Sequence, residues 1–193
     1  MAELGVDVLV SAPQKVWSAS PCCGLVMLGE AALARMDATT STSFACDLKK
    51  WLQIMQAYEN GAHAYHATLP TDALTGLRDV MQETEQYGLE RARTGQIELG
   101  RRVRALLAER GFASVAAAGF EAPGVVVSYT VDAEIQSGKK FAAQGLQTAA
   151  GVPLQCDEPA DFRTFRIGLF GLDKLQHVER TVATLARALD AMD

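Results

Sequence analysis

The residue with the clearest chemical potential in this sequence is Lys15, which follows a strand-like apolar run at residues 6–10. In an open α/β sheet, ligands bind beyond the carboxyl ends of the strands, so a lysine in such a loop can face a binding crevice. A lysine amine that has lost its proton there can attack a carbonyl group and form a Schiff base. The residue type alone favours a solvated surface lysine, because lysines are rarely buried.

The elements that must position Lys15 are two short apolar runs, residues 6–10 and 24–28, rich in Val and Leu and bounded by Gly, Pro and Ser. This pattern predicts fully buried strands of the kind found in parallel sheets with helices on both faces. A short helix is expected over 29–36 and a polar loop over 37–43. Asp47 is expected to open a further helix, and residues 59–70 are expected to be irregular.

The pattern in the remainder of the chain predicts two long helices followed by a small layer of strands and shorter helices. Thr71 is a good N-cap for one helix, Gly88 a break, and Gly111 the end of a second helix. Strands are then predicted at 125–129 and 162–169, with a helix over 133–145 between them. Asp173 and Gln176 form a capping-box pattern for the last helix. This order indicates a small α+β domain, and we place the boundary near residue 90.

Composition excludes several classes of function. The 193 residues carry a net charge of -5 and no basic patch, so no nucleic-acid partner is expected. No apolar run reaches the roughly 20 residues of a membrane span, and the N-terminus shows no signal-peptide pattern. Four cysteines lack zinc-ligand spacing, so we expect no metal and free thiols in a reducing cytoplasm. Adjacent Cys22 and Cys23 are expected to be small buried packing residues.

Four stretches together resemble one enzyme family. "GVDVLVSAPQK" with "PCCGLVML" resembles the lysine motif of the class V aminotransferases, in the alanine–glyoxylate and serine–pyruvate branch. "STSFACDLKKW", the segment from "AYHATLP" onward and "FRIGLFG" resemble further family segments in the same order. The resemblance implies an α/β chain: the rear part of the large domain of a fold-type I pyridoxal phosphate transferase at 1–90, then a small α+β domain at 91–193.

The resemblance also implies roles for individual residues. Lys15 matches the lysine that holds pyridoxal phosphate covalently and moves the substrate proton, and Gln14 matches a neighbour that contacts the cofactor. Tyr65 and Thr68 match a pair that reaches the cofactor phosphate across a homodimer interface. Arg166 matches the arginine that binds the substrate carboxylate. Hydroxyl groups donate to phosphate oxygens, and a guanidinium binds a carboxylate through two hydrogen bonds, so each role is chemically sound.

The resemblance implies an aminotransferase that moves an amino group from a small amino acid, such as alanine or serine, to a 2-oxo acid such as glyoxylate. In this family an acidic residue, a stacking aromatic residue and a phosphate cup precede the lysine motif. Only fourteen residues precede Lys15 here, so we expect this chain alone to be incomplete as an enzyme. A non-catalytic dimerisation module stays open as the alternative. A cysteine desulfurase is disfavoured because Gln14, not His, precedes the lysine.

Overall fold

A computed structural model describes residues 1–192 of the chain. The chain divides into two compact units, which are described separately below. One unit contains residues 1–14 and 19–78. The other contains the short segment Lys15–Ser18 and the chain from Asp79 onward.

The first unit begins with a 3-10 turn at Ala2–Leu4 and a two-stranded antiparallel ribbon. Its strands are β1 (Val8–Ser11) and β2 (Leu25–Leu28), with Val8 opposite Leu28. The prediction of fully buried parallel strands was wrong, because Val10 is 67% exposed and the pairing is antiparallel. A parallel pair needs a crossover, usually a helix, and the connection at residues 12–24 contains none.

Three helices follow the ribbon; the first two belong to the first unit, and the third begins in the first unit and ends in the second. They are α1 (Glu30–Asp37), α2 (Leu48–Glu59) and α3 (Thr71–Tyr87). Asp47 caps α2 as predicted, since its carboxylate accepts a hydrogen bond from the Lys50 N–H at 3.0 Å. Ile54 and Leu77 are the buried apolar side chains of α2 and α3.

The second unit packs helices against a three-stranded antiparallel sheet in the order β3-β5-β4. Its elements are α4 (Leu89–Glu109), β3 (Val125–Tyr129), α5 (Ala133–Gln136), α6 (Lys139–Ala143), β4 (Ala149–Ala150), β5 (Thr164–Gly168), α7 (Leu172–Gln176) and α8 (Val178–Asp190). Its core is continuous and apolar, and includes Leu99, Val103, Leu107, Val126, Phe141, Phe165 and Leu189. The α+β layer predicted for this part of the chain is therefore present, and β4 was not predicted.

Two helices predicted as single elements are each divided. The segment expected over 133–145 breaks at Gly138, which has a left-handed φ of 78°. A Cβ at Gly138 would lie 2.9 Å from the Thr148 hydroxyl oxygen, so the break is also a site of close packing. The last predicted helix is divided at His177, which ends α7 and precedes α8. The capping box at Asp173 was wrong, because α7 begins directly after Gly171 and the Asp173 carboxylate forms an ion pair with Arg180 instead.

Candidate functional site

Lys15 lies in a tight turn directly after β1. The Lys15 carbonyl accepts a hydrogen bond from the Ser18 N–H at 3.0 Å, and the Ala19 N–H donates to the Pro13 carbonyl at 3.1 Å. Pro13 is fully buried, whereas Lys15 and its neighbour Gln14 are exposed. Within residues 1–192, no hydrogen bond or ion pair involves the Lys15 amine. The turn therefore fixes the backbone of Lys15 and leaves its amine accessible for chemistry.

The end of this turn packs closely against the segment that follows β5. A Cβ at Gly171 would lie 2.9 Å from the Ser18 hydroxyl oxygen, and Gly171 itself has a φ of 106°. Such contact requires the absence of a side chain at Gly171. Ser18 is three residues after Lys15, and Gly171 is five residues after Arg166. This contact therefore links the lysine turn to the segment that carries the candidate substrate arginine, within one compact unit.

Arg166 lies on the central strand β5, opposite Val127 on β3 and Ala149 on β4. Its side chain is half-buried, and its Nε donates to the Ala150 carbonyl at 3.0 Å. No described residue forms a hydrogen bond or ion pair with its two terminal nitrogens. One edge of the guanidinium is thus fixed by backbone, and the terminal nitrogens stay available for an anion.

Tyr65 and Thr68 lie close together in the irregular segment before α3. Their hydroxyl oxygens are 3.3 Å apart, and Tyr65 is 72% exposed. Two neighbouring hydroxyl groups at an exposed turn can donate to two oxygens of one phosphate. The structure therefore brings together the two residues that the sequence pattern paired.

His66, which lies between Tyr65 and Thr68 in the chain, makes contacts that the sequence did not indicate. Its Nε2 is 3.0 Å from the Phe44 carbonyl oxygen. Its ring centroid lies 4.2 Å from that of Phe44 and 5.1 Å from that of Trp51. The Trp51 indole in turn donates to the Ala45 carbonyl at 2.8 Å. The histidine between Tyr65 and Thr68 thus anchors their backbone to the segment before α2.

Two further expectations concern metals and membranes. Among residues 1–192, no group of three or more His, Cys, Asp and Glu side chains is arranged to hold a metal ion. None of the described helices is long and apolar enough to span a bilayer.

The cysteines are free thiols, and Cys23 is exposed while Cys22 is half-buried. The expectation that both adjacent cysteines are buried packing residues was therefore wrong.

The fold is that of the C-terminal half of aminotransferase structures. The chain superimposes with a TM-score of 0.77 on an alanine–glyoxylate aminotransferase from Nostoc sp., at 16% identity over 97% of this chain and 49% of that one. An aspartate aminotransferase from Thermus thermophilus also gives a TM-score of 0.77, at 20% identity over 100% of this chain and 51% of that one. At these identities the likeness shows the fold alone.

Curated relatives extend the similarity to sequence. The chain is 28% identical over all 193 residues to a 2-aminoethylphosphonate–pyruvate transaminase from Burkholderia ambifaria. It is 25% identical to 2-aminoethylphosphonate–pyruvate transaminase 1 from Burkholderia lata. The chain spans about half the length of each of these relatives, and no family model matches it. Together these similarities confirm the resemblance to the C-terminal part of class V aminotransferases.

Proposed function

We propose that the protein is a pyridoxal phosphate-dependent aminotransferase that moves an amino group from a small amino compound to a 2-oxo acid. The observation that supports this most is the placement of Lys15. No residue among 1–192 forms a hydrogen bond or ion pair with the Lys15 amine. The turn that carries Lys15 packs through Ser18 against the segment that follows Arg166. Similarity to two curated transaminases along the whole chain supports the same reaction class.

The residues of this chain suit the cofactor. An accessible primary amine on a rigid turn is the group that an aldehyde cofactor requires, and Lys15 provides it. The hydroxyl groups of Tyr65 and Thr68, 3.3 Å apart, suit two phosphate oxygens. Bound pyridoxal phosphate supplies an electron sink that stabilises negative charge at the substrate α-carbon. Gln14, which is exposed beside Lys15, is proposed to contact the cofactor as the family resemblance implies.

Each residue then has a separate task. Lys15 would hold the cofactor through its aldehyde group and, as a free amine, would take a proton from the substrate carbon that carries the amino group. Arg166 orients the substrate by binding its acidic group through the terminal guanidinium nitrogens, while Ala150 holds the Nε edge. The Ser18–Gly171 contact limits movement of the lysine turn during these steps, because positioning contributes strongly to rate.

The acceptor is proposed to be a short 2-oxo acid such as glyoxylate or pyruvate. Its carboxylate matches the planar fork of Arg166. Alanine and serine are the donors implied by the sequence resemblance, and 2-aminoethylphosphonate is added by the names of the curated relatives. An arginine fork binds phosphonate oxygens as well as a carboxylate, so Arg166 accommodates both classes of donor.

We further propose that the working enzyme is a cytoplasmic homodimer. The exposed Tyr65–Thr68 pair supports dimerisation, since the family pattern places it against the cofactor phosphate of the second subunit. The four free cysteines support a reducing compartment.

A transamination assay tests the proposed function. The protein, purified at its full natural length and supplied with pyridoxal phosphate, is given glyoxylate or pyruvate with alanine, serine or 2-aminoethylphosphonate. We expect glycine or alanine to form from the acceptor with at least one donor, and the Lys15→Ala variant to be inactive. Equal measurable rates for Lys15→Ala and the unmodified protein would exclude Lys15 as the catalytic residue, and no product with any pair would support a non-catalytic module instead.

A further inference from the structure

The pair Cys22 and Cys23 offers two sulfur atoms at chelating distance. The Cys22 thiol donates a hydrogen bond to the Cys23 sulfur, and the two sulfurs are 3.7 Å apart. Two thiolates that share one tetrahedral ion with bonds of about 2.3 Å lie about 3.8 Å apart. The two sulfurs are therefore already spaced to bind a single soft acceptor atom, and Cys23 is exposed to solvent.

The surroundings of the pair limit which acceptor fits. A structural zinc ion needs four protein ligands, and no group of three or more ligating side chains is found among residues 1–192. What remains is an acceptor that needs only two sulfurs from the protein.

We propose that Cys22 and Cys23 form a dithiol site for trivalent arsenicals that carry one organic substituent. With phenylarsine oxide, the arsenic–oxygen bond breaks and two arsenic–sulfur bonds form. Both thiol protons leave with the oxygen as one molecule of water, and arsenic stays trivalent throughout. Soft thiolate ligands suit soft acceptors, and two linked sulfurs bind far more firmly than one. This site goes beyond the proposed function and does not depend on it.

Mass spectrometry of the native protein with phenylarsine oxide tests the site. Millimolar 2-mercaptoethanol displaces an arsenical that is bound through one cysteine. Binding through two sulfurs raises the affinity roughly 100-fold or more, so that adduct is retained. We expect one retained phenylarsenic group per chain, removed by 2,3-dimercaptopropanol. Peptide mapping of the wild-type adduct is expected to locate it at residues 22–23.

Single substitutions separate this pair from the other thiols. Cys22→Ser and Cys23→Ser are each expected to lose the retained adduct, with about 100-fold weaker binding in the presence of the monothiol. Cys46→Ser and Cys156→Ser remove exposed thiols elsewhere and are expected to retain it. The proposal is overturned if mapping locates the arsenic on Cys46 or Cys156, or if either Cys22→Ser or Cys23→Ser keeps the adduct.

Discussion

Ser18 and Gly171 approach each other so closely that a single methyl group at Gly171 would lie 2.9 Å from the Ser18 hydroxyl oxygen. Ser18 closes the turn that begins at Lys15 by donating its N–H to the Lys15 carbonyl. Gly171 ends the segment that begins with the Arg166 strand. The two candidate catalytic and binding segments are thus packed together at a position whose φ of 106° strongly favours glycine.

Gly171→Ala is expected to destabilise the protein by about 1–3 kcal/mol and more than Gly111→Ala does, because the new Cβ would lie 2.9 Å from the Ser18 hydroxyl oxygen in addition to the strain of a φ of 106°. The free energy of unfolding in urea measures this. Gly111→Ala is the matched control, since Gly111 also has a positive φ, of 81°, but no atom within 4 Å of its would-be Cβ. Adding Ser18→Ala to Gly171→Ala is expected to recover part of the loss. No recovery would contradict a steric role for Ser18.

Arg166→Lys is expected to raise KM for the 2-oxo acid about 10- to 100-fold, since a paired hydrogen bond to a charged group contributes about 1.5–3 kcal/mol. A lysine cannot both reach the Ala150 carbonyl and offer a planar fork. Steady-state kinetics measures the change. Arg163→Lys, at an exposed position just before β5, is the control and is expected to leave KM unchanged. Equal effects of the two substitutions would exclude Arg166 as the carboxylate ligand.

Tyr65→Phe is expected to weaken binding of pyridoxal phosphate about tenfold and to leave binding of pyridoxal, which lacks the phosphate, nearly unchanged. The reason is that the Tyr65 hydroxyl, 3.3 Å from that of Thr68, is proposed to donate to a phosphate oxygen. Absorbance titration measures both affinities. Tyr58→Phe removes another exposed hydroxyl and serves as the control. An equal loss of affinity for pyridoxal phosphate and for pyridoxal would indicate a purely structural role for Tyr65.

Because Asp132 is stabilised in its ionised form, we predict that the free energy of unfolding depends on pH in the acid range. A hydrogen bond from Lys140, followed by those from the N–H groups of Glu134 and Ile135, holds the pKa of Asp132 below its ordinary value. Because the folded pKa is the lower one, the stabilisation is complete above about pH 4 and is lost as pH falls through the folded pKa. Asp132→Asn keeps an N-cap and is expected to show a smaller loss of stability between pH 5 and pH 3, measured by urea unfolding. If Asp132→Asn loses as much stability between pH 5 and pH 3 as the unmodified protein does, this role of Asp132 is contradicted.

Local signals in the sequence predicted several elements well. The strand β3 at Val125–Tyr129 has the predicted bounds, and Asp47 caps α2 through its carboxylate. Gly88, with φ of 103°, separates α3 from α4 as its residue type indicated. These features depend on backbone preferences and apolar spacing within a few residues, which the sequence carries directly.

Features that depend on distant parts of the chain were harder to predict. The apolar run in β1 indicated burial, but a run of this kind does not specify what covers it, and Val10 is 67% exposed. The requirement for Gly171 arises from Ser18, more than 150 residues earlier in the chain. His66 stands out only when its contacts with Phe44 and Trp51 are seen. The family resemblance assigned Lys15 to the large domain at 1–90 and Arg166 to the small domain at 91–193, so it did not predict that Lys15–Ser18 and Arg166 belong to one compact unit. The roles of both residues stay predictions.

Borohydride reduction of the protein in the presence of pyridoxal phosphate, followed by peptide mapping, tests the central claim most directly. Reduction fixes the cofactor to the lysine that has condensed with its aldehyde. We expect a single pyridoxyl group on Lys15, absent from Lys15→Ala and retained in Lys49→Ala and Lys174→Ala. A pyridoxyl group on another lysine, or reduction that leaves Lys15 unmodified at saturating cofactor, would contradict it.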